Sequence, residues 1–395
     1  MAYVNFKEEV YKGLNQLSNR RNNNKKYFNL LKKDKALLKG YSIDNSLSYK
    51  TFVNEDFGIQ GSLSEDKFYK IENTTIVSSI FSTCRFNNIH FINCVFICCS
   101  FDSCIFKGGG TLFDSCSFVI EDSITPPTLN NKINISTSFN KCTMYPKFKN
   151  CNLSYIIIEN SMLTNSSFED SDLTGVIIIG STLKKISFKD CNLSGSKFIS
   201  NVIEDFDFMD KVKTKLDEKT FFDKIPIPDK TKATYEGIYM TYETIANKFK
   251  ENSLSNNFGE YYYLCKKTQT KSLKLSKRVG SYIGYITCGY GERPSFAVYS
   301  SIVIILVFSI LYLFTGLDID GEIVRYFTGE TSNNFREFLT HYNESLTLSI
   351  SMFGSVGFVN SQPSPESYMV ACSEVILGIV MVGVGVGALI RKIIR

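Results

Sequence analysis

Near the C-terminus, Leu346 to Asn360 reads LTLSISMFGSVGFVN and lies between two apolar runs. Ser355, Val356, Gly357 and Phe358 set a hydroxyl beside successive peptide carbonyls around a glycine. Such a run can replace the hydration shell of a cation, because glycine lets the backbone turn its carbonyls toward one axis. Glu374 is the second candidate, an acid in an otherwise apolar stretch and costly there unless it is paired. Two roles are open to it: a hydrogen bond to Ser349 or Ser351 that braces the turn, or a cation site. The rest of the chain offers little chemistry. His90 and His341 are its two histidines and no nucleophile constellation accompanies either, so the chain does not read as an enzyme. The twelve cysteines lack paired zinc-ligand spacing. Cys94, Cys98, Cys99 and Cys104 read instead as reduced thiols serving as small core residues in a five-residue phase. No cofactor is expected, and no metal beyond permeating cations.

Two apolar runs position the turn. Pro294 to Leu317 has no charged residue, and Ser367 to Ile390 has one, Glu374. Each is long enough to cross the ~30 Å hydrocarbon layer. Lys277, Arg278 and Arg293 precede the pair and Arg391, Lys392 and Arg395 follow it, so both termini are expected in the cytoplasm. The connecting loop is acidic, with Asp318, Asp320, Glu322, Glu330, Glu337, Glu344 and Glu366 against Arg325 and Arg336, and would concentrate cations outside.

The order of span (about 295–317), short helix (about 343–354), SVGF and span (about 367–390) resembles the two-span pore of the potassium-channel superfamily over residues 294–395. The resemblance implies a re-entrant pore helix and a homotetramer, since a ring of carbonyls needs four loops. It also implies K⁺ as the permeant monovalent cation, with Na⁺ admitted alike where the filter departs from the family pattern. Ser355 would form the inner end of the filter, with Val356, Gly357 and Phe358 further out. The sequence departs from the family at Val359, where a second glycine is expected, and at Asn360, which replaces an aspartate at the outer mouth. Gly378, Gly383 and Gly387 would serve inner-helix packing or bending.

Upstream, a period of five dominates. Phe81, Phe86, Phe91, Phe96, Phe101 and Phe106 open it, and thirteen large apolar residues continue in phase from Phe148 to Phe208. Partners two places earlier are small, among them Cys84, Cys94, Cys151, Ser161, Ser171 and Ser181. Neither a helix nor a flat strand keeps five residues on one side, but a coil that turns a corner every fifth residue does. With Asn152-Leu153, Asp172-Leu173 and Asn192-Leu193, the run resembles the pentapeptide-repeat family over residues 71–209. That resemblance implies a right-handed quadrilateral β-helix of four repeats per coil, here cytosolic. Some members mimic DNA through an acidic surface. Residues 76–208 hold ten Lys+Arg and twelve Asp+Glu, a net of −2, too balanced for that role, and no nucleic-acid partner is expected.

Residues 1–70 read as an arm or cap, with a basic cluster from Arg20 to Lys35 as a solvated face or a lipid contact. Residues 210–293 read as a helical linker ending in a basic segment and the interfacial elbow Arg293-Pro294. Two functions follow. One is a homotetrameric cation channel in the plasma (inner) membrane of a prokaryote, with the repeat domain for assembly or gating. The other is a membrane-anchored scaffold with a degenerate, non-conducting pore, favoured by Val359. The expected partners are the chain itself, the bilayer, and an unidentified cytosolic partner or ligand on the repeats.

Overall fold

A computed structural model describes residues 4–394 apart from 34–37, 39, 62, 121–134, 327–334 and 358–359. The chain divides into two units, Met1–Ser272 and Leu273–Arg395. The expected linker is therefore cut, its first part belonging to the repeat unit and its last to the apolar unit.

The first unit is a parallel β-solenoid. Residue 157 pairs with 177 and 177 with 197, a step of 20, or four repeats of five per coil. Among the described residues eight strands stack in one sheet and nine in another. Large side chains point inward and form columns. Phe148, Phe168 and Phe188 stack with ring centroids 5.2 and 5.0 Å apart and planes within 12°. That spacing is close to the separation of neighbouring strands, so ring stacking and the hydrogen-bond ladder reinforce each other.

The corners explain the period. Asn73, Ser78, Thr83, Asn88, Asn93, Cys98 and Ser103 all have φ between 46° and 56°. Short polar residues tolerate this left-handed region best, and one of them per repeat turns the chain. Cys98 is thus a corner, out of phase with Cys94, Cys99 and Cys104. Its thiol reaches outward to the Asn24 carbonyl at 3.5 Å. The inward thiols donate to the coil before: Cys94 to Ile71 O at 3.2 Å, Cys104 to Phe81 O at 3.2 Å and Cys191 to Phe168 O at 3.3 Å. Burial pushes the Cys99 thiol up to about 12 and that of Cys191 to about 11, which keeps both protonated as donors.

The coil extends beyond 71–209 at both ends. Phe52 pairs with Phe81, a step of 29, and Phe198 with Phe222, a step of 24. Extra residues within those coils hide the period from the sequence. Helix α1 (Phe6–Lys33) runs along one face of the whole stack. Phe6 packs on Phe221, Leu17 on Ile157 and Ile177, and Leu31 on Val77 and Ile97. A helical turn rises 5.4 Å and a coil ~4.8 Å, so roughly each turn of α1 meets one coil. Arg20 is buried there, donating to Tyr155 O at 3.2 Å, and Arg21 pairs with Glu159.

Helices α2 (Lys232–Glu251) and α3 (Ser255–Ser272) close the last coil. The Tyr261 hydroxyl donates to Phe222 O and accepts Phe222 N–H, both at 2.8 Å, standing in for a further strand at an otherwise open edge. Lys248 binds Asp210 at 2.6 Å beneath this cap. Burial alone would raise the Asp210 carboxyl, but hydrogen bonds from Lys248 and Thr214 outweigh it and hold it down at about 2.

The second unit contains α4 (Leu275–Cys288), α5 (Pro294–Thr315), α6 (Phe335–Gly354) and α7 (Tyr368–Ile394). Helices α5 and α7 are long and apolar enough to cross a membrane. Proline at the first turn of α5 costs no hydrogen bond there. A small antiparallel sheet of Leu317–Ile319, Glu322–Val324 and Ser361–Pro363 lies where the C-terminal end of α5 meets the N-terminal end of α7. Helix α6 starts eight residues before the expected 343. Phe338, packed edge-on against Tyr326, and His341, hydrogen-bonded to Tyr326, hold the added turns.

Candidate functional site

Serines of α6 fasten it to α5. Ser345 donates to Ser309 O, and Ser349 to Ile305 O at 2.9 Å. Interhelical hydroxyl-to-carbonyl bonds of this kind hold helices together where apolar burial cannot discriminate between protein and lipid. Further along, Phe353 packs with Ala297 and Met381. Ser349 is level with Ile305 at the midpoint of α5 and Phe353 with Met381 at the midpoint of α7, and α6 runs five residues past Ser349 to Gly354, so it ends partway along both helices.

Gly378 makes that close approach feasible. A Cβ there would lie 2.1 Å from Phe353 O, a distance that no side chain survives. Glu374, one turn earlier on α7, is fully buried. The Ser349 hydroxyl, whose one proton is shared with Ile305 O, also lies against Glu374 Oε1, and the Tyr312 hydroxyl donates to Glu374 Oε2 at 2.8 Å. One carboxylate thus joins α5, α6 and α7. Ser351 serves elsewhere: its Oγ accepts Gly357 N–H at 3.1 Å. Tyr312 was not legible as a partner, because 62 residues separate it from Glu374. Its only sequence signal is a hydroxyl among apolar neighbours.

The turn after α6 uses left-handed backbone at Ser355 (φ 55°) and Gly357 (φ 73°). Val356 is exposed, and nothing lies within 4 Å of a Cβ built at Gly357. Phe358 and Val359 lie outside the described residues. Asn360 is exposed, and Ser361 is back at the small sheet, paired with Ile319. Gly383 and Gly387 have open space where a Cβ would stand, whereas Gly385 meets Ala297 at 3.5 Å. The structure therefore brings Ser349, Ser351, Gly357, Glu374 and Gly378 together around the end of α6. Val356 and Asn360 stay exposed, and Gly383 and Gly387 have open space where a Cβ would stand.

On the solenoid, a groove of about 640 Å³ runs between the coil and α2, lined in part by Ser167, Ser187, Phe206, Met240 and Thr241.

No family model matches the chain, and no curated protein matches it. Solved structures similar to it include QnrB1, a plasmid-mediated fluoroquinolone resistance protein, at 14% identity over 43% of this chain and 91% of that one, with a TM-score of 0.25. Rfr23, a pentapeptide repeat protein from the cyanobacterium Cyanothece 51142, is 12% identical over 46% of this chain and 88% of that one, with a TM-score of 0.15. HetL, a pentapeptide repeat protein involved in heterocyst differentiation regulation from Nostoc sp. strain PCC 7120, is 8% identical over 49% and 94%, with a TM-score of 0.16. The twenty-residue register, the five-residue corners and the inward columns of this chain carry the fold assignment. The first unit is a pentapeptide-repeat β-solenoid.

Proposed function

We propose that the chain is one subunit of a homotetrameric cation channel, with α5 and α7 as spans, α6 as a re-entrant pore helix and Ser355 to Val359 as a carbonyl-lined filter. The observation that carries this reading is that α6 stops partway along two apolar helices and hands over to a glycine turn. Ser355 and Ser361 are only six residues apart, yet one follows α6 at mid-depth and the other lies at the outer sheet. Six residue steps span at most about 20 Å, so there is little slack for anything but a short path back. The exposure of Val356 and Gly357 suits a loop that other subunits complete. Glu374 would act as a brace, holding α6 at the depth the filter needs.

Purified protein in planar bilayers should give unitary currents that a Gly357→Asp variant abolishes. Absence of current from folded tetramers under every stimulus tried would sink the reading. Reversal potentials in mixed K⁺ and Na⁺ would then report what Val359 does to selectivity. The second reading, a membrane-anchored scaffold, is favoured by the solenoid groove beside α2, which offers a partner a partly apolar seat. Under that reading the Gly357→Asp protein keeps its cellular role.

A further inference from the structure

Helix α4 carries an apolar stripe that nothing in its own unit covers. Leu275, Val279, Ile283 and Ile286 are 77%, 55%, 58% and 58% exposed, and Tyr282 joins them. These positions share one face about 100° wide. Lys274, Lys277 and Arg278 lie off that face.

The other side of α4 is pinned to the start of α5. Tyr285 packs edge-on against Phe296 at 5.9 Å, and Ser300 donates to Ile286 O at 2.8 Å. Between the two helices, Gly289, Tyr290 and Gly291 take φ of 54°, 58° and 82°, a run of left-handed residues that reverses the chain sharply. Glu292 then binds Arg391 at 3.2 Å, tying this elbow to the far end of α7. Helix α4 therefore lies beside the first two turns of α5, at the level where both apolar helices end. Two helical turns are about 10 Å, the depth to which an interfacial helix sinks its apolar face.

We infer that α4 is a lipid-binding surface, an amphipathic helix seated in the headgroup layer, with its apolar stripe among the upper acyl chains and its basic residues on anionic phospholipid headgroups. Charge complementarity and continuity with the span argue for lipid over a protein partner. Tyrosine at the rim suits the same layer. Lys277 and Arg278 have aliphatic stems long enough to keep their charges at the phosphates while the stripe is buried. The inference rests on α5 and α7 crossing a bilayer but does not depend on whether the pore conducts.

The chain contains no tryptophan, so one introduced indole reports one place. Full-length Ile283→Trp protein in vesicles of zwitterionic and anionic phospholipid should lose roughly half its emission to lipids brominated near the headgroup, and less to deeply brominated ones. Lys277→Trp should be quenched by aqueous acrylamide instead. Val303→Trp, in the middle of α5, monitors the spans through the deep bromines. If the indole at position 303 is quenched by deep bromines while the one at position 283 responds only to acrylamide, the stripe faces water and the inference fails. If the indole at position 283 is shielded from both quenchers, protein covers the stripe, and the inference fails again. An unquenched indole at position 303 would overturn the membrane reading itself and the inference with it. In the supporting case, the Lys277→Gln/Arg278→Gln variant in the Ile283→Trp background should lose its preference for anionic over purely zwitterionic vesicles.

Discussion

In the solenoid, the inward ring columns find their partners one coil away in the same chain. Phe168 is sandwiched between Phe148 and Phe188, Cys191 donates to Phe168 O, and the last strand is closed by Tyr261. In the apolar unit, contacts are complete around the end of α6 and stop there. Glu374 and Gly378 are fully occupied, while Val356, Gly357, Gly383 and Gly387 face open space. A solenoid is stabilised by nearest-neighbour coils and needs nothing else. Val356 and Gly357 lack that enclosure, and on the channel reading it is neighbouring subunits that supply it. The contrast predicts that substitutions in the two units fail independently.

The largest effect should come from breaking a ring column. Phe168→Ala removes a fully buried side chain with ring partners above and below. A loss of about 3–5 kcal/mol is expected. Urea unfolding followed through the β-sheet signal measures it. A loss below about 1 kcal/mol would mean that neighbouring coils collapse into the gap, and that the columns matter less than their regularity suggests.

The reverse experiment is Gly378→Val. Its Cβ would meet the Phe353 carbonyl, which is backbone and cannot rotate away. Helix α6 must then shift outward along α7, at a cost of about 1–3 kcal/mol. On the channel reading, currents should disappear while the solenoid's urea midpoint stays put. A shifted solenoid midpoint would show that the two units are coupled energetically.

How much of this was legible beforehand follows the same divide. The five-residue period declares the coil because each coil repeats the same demand on residue size. It fails where loops lengthen a coil, which is why Phe52 and Phe222 went unread, at steps of 29 and 24. The packing face of α1 was hidden for another reason. Gly13, Leu17, Arg20, Asn24 and Leu31 recur at helical spacing, but two of them are polar, and most of their targets lie far away in sequence. In the apolar unit, the absence of charge marked both long helices, and Glu374 stood out because a lone acid there is expensive. Its second partner, Tyr312, is fixed by three-dimensional packing and left no pattern. The turn from Ser355 to Gly357 is the least legible, because its two left-handed residues leave Val356 exposed and its local packing leaves no periodic pattern.

Acid should loosen the cap on the solenoid at a smaller cost. The Asp210 carboxyl is held down at about 2 against an ordinary value of 3.8, so it stabilises the folded cap at and above about pH 4. That contribution is lost as pH falls through about 2, since the unfolded chain takes up the proton first. Allowing for screening at the rim, about 1–2 kcal/mol should vanish between about pH 4 and about pH 2. Lys248→Gln should flatten this part of the pH profile. A wild-type profile already flat between those values would deny the pair its role in closing the coil.

The smallest effect is expected from exchanging thiol for hydroxyl, and it compares the two halves of the solenoid itself. One small-residue column runs Cys104, Cys142, Ser161, Ser181 through successive coils. The Cys104 and Cys142 thiols donate back to Phe81 O and Phe101 O, at 3.2 and 3.4 Å. In the later coils the hydroxyls donate two residues back, Ser161 to Glu159 O at 2.7 Å and Ser181 to Ile179 O at 3.0 Å. They also accept an amide from the coil before, Cys142 N–H at 3.0 Å and Ser161 N–H at 3.1 Å. A hydroxyl at position 104 keeps a donor for the same carbonyls, so Cys104→Ser should change stability by no more than about 1 kcal/mol, within the range of one hydrogen bond exchanged for another. Ser161→Val should cost more, because the Cys142 amide then loses its acceptor in a dry interior. If Cys104→Ser proves the worse of the two, sulfur volume is what fills the Phe-lined half, and the thiol column is a packing requirement that hydroxyls cannot meet.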